Sequence, residues 1–516
     1  MHEPVRTRRR RLRCVGATLF ACILFGSPTL SSALNDASQP AKTTADQTAG
    51  TRSKPIWLAV TRPMFADAVQ PLIKHRTADG FDARVSTEPV AAAIKSLGKR
   101  RPKYVLLVGD DELQQLATLL TEIGTDDDDA KTTAADLEWK LRSSRRPLYR
   151  WRAPQRLDFA SDPALADRNG DLIPDFAIGR VPARTAAEVE TVVRKIIEYE
   201  SRPPSLNDLA LPVWSGSPMY GETIDALASG LLLNSLQTKA PAWTAPWVIM
   251  GDATQAFCGW PADQPERFID RMKAGGPLSV FIGHGRTSNV ISLDDGDNEI
   301  RFSPSTIGRQ LANGPATSPM VLMTCESGNF AAGETSLAEF LLFERGGPVA
   351  VIGASTESHP LTNYYTGQQL LAGLDGRTRR LGDLWFGAQL RAATSREIVI
   401  EAALKDVEGK LEENINIDKL RRDQVLMYNL LGDPATALRT PGRLKAAIEK
   451  RGDRWHWQVK RPKGAGKLDV GFRPAEINLP APGALPADRE SAGKAFDEAN
   501  RRFSFETIRT IEGDEA

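Results

Sequence analysis

Two residues in this chain have the type and the setting for covalent chemistry. One is Cys325, in Val321-Leu322-Met323-Thr324-Cys325-Glu326-Ser327-Gly328-Asn329-Phe330. The other is His284, in Leu278-Ser279-Val280-Phe281-Ile282-Gly283-His284-Gly285. Each follows an apolar run of strand length and leads into a turn that contains glycine, so each is expected at the carboxyl end of a buried strand. In open α/β sheets that edge is where ligands bind. An imidazole beside a thiol there can hold it as thiolate, drawing its pKa from about 8.5 toward roughly 3.5–7.5. The same imidazole can later protonate a leaving amine, so the pair suits nucleophilic acyl transfer.

Cysteine arithmetic keeps other readings open. The four cysteines are Cys14, Cys22, Cys258 and Cys325, and removal of an N-terminal leader would leave the last two. Two cysteines in an exported protein also suit one disulfide. A zinc site using Cys325, Cys258 and a histidine is a third reading, without the close CxxC spacing of typical zinc sites. With Cys325 paired or inert, the chain would be a non-catalytic binding or secretion-linked protein on the same scaffold.

The elements that must position the pair can be read from pattern. Pro348–Ile352 is a third apolar run, ending in Gly353-Ala354-Ser355. Between it and Cys325, Ser336 and Glu339 form a capping box for a helix that Gly346-Gly347 ends. This is a βαβ unit with a right-handed crossover. Upstream, Ile56–Val60, Ala83–Val85, Tyr104–Val108 and Phe176–Ile178 read as strands, with a helix from Phe65 to His75. Thr185 and Glu188 cap a second helix whose apolar face is Val189, Val192, Val193, Ile196 and Ile197. Arg202-Pro203-Pro204 marks a boundary. Leu209–Trp214 is a strand in which Pro212 suits an edge, and Ile224–Leu233 is an amphipathic helix preceded by Glu222. The stretch Leu293–Glu299 reads as an acidic rim loop. Asn429–Ala435 reads as a Gly-Asp-Pro turn after a helix, and Trp455–Val459 and Leu468–Phe472 as strands of a tail whose polar end is loosely ordered.

The pair of motifs, Phe281–Gly285 and Met323–Ser355, resembles the gingipain-like cysteine peptidases of family C25, relatives of the caspases. Tyr104–Asp110, Gly179–Pro182 and Asn429–Ala435 extend the resemblance to about residues 55–440. It implies a caspase-like three-layer α/β sandwich, with a mostly parallel sheet in two subdomains and a small C-terminal β-containing tail. It also implies Cys325 as nucleophile, His284 as proton carrier, and the backbone N–H groups of Gly285 and Cys325 as oxyanion donors. Glu222 is a candidate acid to orient His284. The Ser355–His359 loop would help wall the substrate pocket, which makes Glu357 and His359 pocket candidates and His359 a second candidate base. Substrates would be proteins or peptides, with no cofactor required. Many members cut after basic residues, although the pocket loops vary.

One loop reads as a candidate calcium site: Asp167, Asn169, Asp171 and Asp175 place oxygen ligands at alternate positions. It is not an EF-hand, since its glycine comes two positions early and no Glu closes it. An Asx-rich turn is the other reading. The run Asp126–Asp129 reads as a solvated loop.

The expected organisation is a signal peptide over 1–33, a flexible linker over 34–54, and an N-terminal α/β subdomain over 55–202. A catalytic subdomain then covers 203–440 and a small β module with tail 441–516. The leader rests on the arginines from Arg6 to Arg13, the apolar run to Phe25 and the Ser31-Ser32-Ala33 site, and it implies export. Residues 1–33 hold six Arg and one Glu, so the remainder carries −4 where the whole chain carries +1. No basic stripe interleaved with aromatics is present, which argues against nucleic acid as a partner. No apolar stretch after the leader is long enough for stable membrane insertion.

Overall fold

The computed structural model describes residues 53–111, 144–147, 158–294, 299–398, 400–401, 416–442, 445–452, 454–460, 467–472 and 483–512. The readings of a leader, of the linker up to residue 52 and of the run Asp126–Asp129 lie outside these residues. The chain divides into a unit Met1–Ser53 and a unit Lys54–Ala516, and every element below belongs to the second.

The strands of the N-terminal half are β1 (Ile56–Thr61), β2 (Asp82–Ser86), β3 (Pro102–Val108), β4 (Ser144–Pro147), β5 (Asp158–Ser161) and β6 (Ala177–Val181). Then come β7 (Ala210–Ser215), β8 (Ala245–Met250), β9 (Ser279–Ile282), β10 (His284–Arg286), β11 (Asn289–Asp294) and β12 (Glu299–Phe302). β13 (Met320–Met323), β14 (Val351–Ala354) and β15 (Tyr428–Leu431) follow, and the tail adds β16 (Lys445–Arg451), β17 (Arg454–Lys460), β18 (Lys467–Phe472) and β19 (Glu506–Glu512). The helices are α1 (Ala66–Ala78), α2 (Val90–Ser96), α3 (Ala186–Ser201), α4 (Glu222–Thr238), α5 (Gln264–Ala274) and α6 (Pro304–Leu311). They continue with α7 (Leu337–Phe343), α8 (Pro360–Gly373), α9 (Leu381–Thr394), α10 (Ile417–Met427) and α11 (Arg489–Arg501).

Ten strands make one sheet in the order β2-β1-β3-β6-β15-β14-β13-β9-β7-β8. Side chains alternate between its faces, as strand geometry requires. Trp57, Trp214, Phe281, Met320 and Leu322 face α1, α3, α5, α6 and α7. Val213, Val280, Val321, Met323 and Ile352 face α4, α8, α9 and α10, while Ile56, Leu58 and Val60 on that side meet α2. The result is the expected three-layer α/β sandwich.

The sheet has one antiparallel seam. β14 and β15 run in opposite directions, whereas β15 is parallel to β6, and β14, β13, β9, β7 and β8 are parallel to one another. The carboxyl ends of β7, β9, β13 and β14 therefore share one edge, and β15 begins at that edge. Where a Gly-Asp-Pro turn directly after a helix was expected, Tyr428–Leu431 is a central strand, because its apolar residues pair with Val351–Ala354. Pro212 also lies in an interior strand. Pairing of β7 with β9 begins only at Val213, so no ladder bond to β9 is required of Pro212.

Asp433 then closes the two halves on each other. Its carboxylate accepts from Trp57 Nε1 at 2.9 Å and Arg76 Nε at 2.7 Å. Arg76 also donates to Glu200 at 2.7 Å, and Glu200 accepts from Ala437 N at 2.6 Å. The polar end of the tail is not loose: α11 packs Phe496 on Trp247, and Asn500 accepts from Val248 N and donates to Val248 O. That amide pairs with the exposed backbone of edge strand β8, which would otherwise invite another strand. The two tail strands read from sequence do not pair together; β17 pairs with β16 and β18 with β19. No helix among the described residues is long and apolar enough to cross a membrane.

Candidate active site

β9 and β13 are parallel neighbours with Ile282 opposite Met323. His284 and Cys325 thus stand two residues beyond the same rung, on one edge of the sheet. Gly283 N still donates to Met323 O at 3.3 Å, carrying the pairing past the strands. Both His284 and Cys325 line one cavity of about 310 Å³.

The loop after Cys325 is tied down on three sides. Glu326 N donates to Thr356 O, Gly328 N to Ala354 O and Ala338 N to Ser327 O. Glu326 takes φ +55°, a conformation that costs a non-glycine residue energy and marks a sharp turn directly after the thiol. Gly328 lies flat on Gly353, where a side-chain carbon would fall 2.5 Å from the Gly353 carbonyl carbon. Gly285 is packed the same way: a Cβ on it would fall 2.7 Å from Cys325 O and from Thr324 Oγ1. Gly285 brings the histidine turn to backbone contact with the thiol turn, and Gly328 brings the thiol turn to β14.

The thiol is half-buried and faces Ser358. Its S–H donates to Ser358 O at 3.7 Å, and Ser358 N donates to Sγ at 3.4 Å. Ser358 Oγ lies 3.9 Å from Sγ and accepts from Asn363 Nδ2 at 2.9 Å. Asn363 Oδ1 in turn accepts from Gln424 Nε2 at 3.0 Å and Tyr428 OH at 2.7 Å. Burial pushes the Cys325 thiol above its ordinary value; the hydrogen bonds from Ser358 pull it down less, and the charges of Glu357 and Glu326 add to the rise. Burial therefore favours the neutral thiol, in the opposite direction to the thiolate that a neighbouring imidazole would favour. Desolvation outweighs the bonds that would stabilise the anion.

His284 is oriented by backbone. Its Nε2 lies 2.8 Å from Pro218 O, and a carbonyl can only accept, so Nε2 carries the hydrogen. In the neutral ring the lone pair then belongs to Nδ1. The Tyr220 ring packs on the imidazole with centroids 5.8 Å apart. Glu222 begins α4, and its side chain lies outside the described residues. Pro218, Tyr220 and Ser358 were not singled out by sequence. The available signal was position alone, since each follows a strand that ends on this edge.

The two pocket candidates do not line the cavity. His359 is 2% exposed and caps α8, its Nδ1 accepting from Leu361 N at 3.1 Å, so it serves the helix rather than lining the cavity. Glu357 is half-buried near the thiol and also does not line the cavity. Cys258 and Cys325 are separate free thiols, which removes the disulfide reading; burial pushes Cys258 up to about 12.

In the 167–175 loop, Asp167 accepts from Gly170 N and Leu172 N, Asp171 from Ile173 N and Asn169 Nδ2, and Asp175 from Arg168 N. These bonds form the Asx-type turn. Among the described residues, the trio of His, Cys, Asp or Glu with ligand atoms within 4.8 Å of one another is His75, Asp79 and Glu200. Arg76 already donates to both of those carboxylates.

The profile of peptidase family C25 matches residues 51–439. A solved structure described as a protease covers 82% of this chain and 85% of its own at 13% identity, with a TM-score of 0.52. The Arg-specific cysteine proteinase gingipain R covers 78% and 82% at 16% identity and a TM-score of 0.49. A complex of Porphyromonas gingivalis RgpB pro- and mature domains covers 76% and 82% at 16% and 0.48. No curated protein sequence matches the chain significantly.

Proposed function

The chain belongs to peptidase family C25, a family of cysteine peptidases, and on that footing we propose that it is an exported endopeptidase working through Cys325 and His284. The observation that carries this reading is the shared register of β9 and β13, which sets the two residues side by side at a cavity mouth. With burial favouring the neutral thiol, His284 Nδ1 accepts its proton as sulfur attacks the scissile carbonyl carbon. The carbonyl π electrons move onto oxygen, and backbone N–H groups of Gly285 and Cys325 receive that oxyanion. When the C–N bond breaks, the imidazolium returns the proton to the departing amine, leaving a thioester. Water, deprotonated by the same imidazole, then hydrolyses the thioester and regenerates the thiol.

Peptide digestion with single variants tests the assignment. Cys325→Ala and His284→Ala are expected to fold and to lose activity by orders of magnitude, since removing one member of a catalytic unit costs nearly all its advantage. Cys258→Ala is expected to retain most of it. Full activity in folded Cys325→Ala would overturn the assignment of Cys325 as nucleophile, whereas inactivity of the unaltered protein on every peptide would move the chain to the binding-protein reading. Export is tested by N-terminal sequencing of the secreted or periplasmic protein, with cleavage expected after Ala33; an intact Met1 in a membrane fraction counts against it.

A further inference from the structure

The cavity at the dyad differs from its surroundings in chemistry. It opens at His284, Cys325 and Ser358 and runs between α4 and α8 over the sheet. Val213, Val280 and Met323 form the floor, and Leu231 and Leu371 stand on the facing helices. Among the described residues, no Asp, Glu, Lys or Arg lines it. Its amides are already engaged: Asn363 bonds Ser358, Gln424 and Tyr428, and Gln368 bonds Tyr364 and Ser235. Apolar side chains also line it where it meets the surface, with Tyr220 and Leu227 39% and 46% exposed. The space is held open by small residues, Ala228 on α4 and Gly367 on α8. A side chain on Gly367 would start 3.5 Å from Met323 Sδ, in the cavity itself. Glycine inside a helix is less favourable than alanine, so its place here keeps volume at a cost in helix stability.

We propose that this cavity selects substrates with a large apolar side chain, such as Leu, Met or Phe, on the residue that supplies the scissile carbonyl. The inference rests on the peptidase reading above and names its substrate class. In the attacked peptide that side chain branches one carbon from the carbonyl carbon, so the walls nearest the thiol decide what fits. A volume of about 310 Å³ lies at the small end of ligand pockets, which run to roughly 300–1,000 Å³, and leaves ample room for a large apolar side chain. A lysine or arginine placed there would be stripped of water with no carboxylate among the described lining residues to receive it, an uncompensated burial of charge. An aspartate or glutamate would meet the same penalty.

The test uses the full chain and a panel of peptides identical except at that residue, bearing Leu, Phe, Ala, Arg, Lys or Asp, beside Cys325→Ala as the blank. Leu and Phe peptides are expected to exceed the Ala peptide in kcat/KM by about 10- to 200-fold, the range a hydrophobic pocket gives. Arg, Lys and Asp peptides are expected at or below Ala. Gly367→Leu should fill the cavity and bring the Leu-to-Ala ratio toward one; Ala228→Phe, on the facing helix, is the second variant if the first does not fold. Cys325-dependent cleavage that favours Arg, Lys or Asp, or folded variants with an unchanged ratio, overturns the inference and leaves the peptidase reading standing. Absence of Cys325-dependent cleavage across the whole panel overturns both.

Discussion

At the scale of single residues, the thiol and the imidazole are prepared by different means. Backbone fixes the imidazole, because the Pro218 carbonyl chooses which ring nitrogen keeps its hydrogen. Burial raises the thiol pKa and so favours the neutral acid, with the Ser358 amide already in place to bond the anion once it forms. The proton therefore moves during attack rather than beforehand. Alkylation by iodoacetamide reads this directly, since only thiolate reacts. A raised pKa shifts the labelling curve to higher pH. The rate at Cys325 is expected to keep climbing through about pH 8.5, the ordinary thiol value, while native Cys258 stays unlabelled. A plateau reached below about pH 7 would indicate a preformed ion pair and contradict the burial argument.

At the scale of elements, strand ends and glycine contacts do the placing. Gly328 on Gly353 and Gly285 on Cys325 let three loops nest at one edge, and the Ser336–Glu339 capping box holds α7 immediately behind the thiol loop. The loop from Asp167 to Asp175 is a different kind of element, a turn shaped by its own side chains, and calcium there is a separate proposal. Carboxylates that accept N–H bonds retain lone pairs for an ion, and an ion would draw Asp167 and Asp171 together. The expected readout is a higher melting temperature in calcium than in chelator, through binding to the folded state, with the difference lost in Asp171→Ala. Superimposable curves for the unaltered protein remove calcium from the account.

For the whole molecule, the seam between β14 and β15 joins two halves whose strands point in opposite directions, and buried charges anchor it. Burial pushes the Glu200 carboxyl up, but the bond from His75 and the charge of Arg76 outweigh it and hold it at about 2, against 4.5 for the free group. A carboxyl depressed on folding adds stability above its unfolded value and loses it as pH falls through its folded one. Acid should thus weaken the protein between about pH 4.5 and pH 2, by an amount on the order of 3 kcal/mol from this group. Glu200→Gln is expected to lower the melting temperature at neutral pH and to flatten that acid dependence. An unchanged acid transition would place the seam's stability elsewhere. Legibility in the sequence follows the same division. The apolar runs ending in His284 and Cys325 and both capping boxes could be read directly, because they depend on residues close in the chain. Strand β15, the α11 cap on β8 and the tautomer of His284 could not, because their partners are distant.

The sequence by itself determined which residues carry reactive groups and that each ends a buried strand, since period, glycine turns and capping are local properties of the chain. It also determined the family pattern over most of the length. Only the tertiary structure decided that β9 and β13 are neighbours in register and that burial of the thiol favours its protonated form. It likewise assigned the orienting of His284 to a proline carbonyl, gave His359 to a helix cap, and lined the cavity with apolar side chains from α4 and α8. Those outcomes depend on which surfaces exclude water together, and that is settled only when distant segments pack.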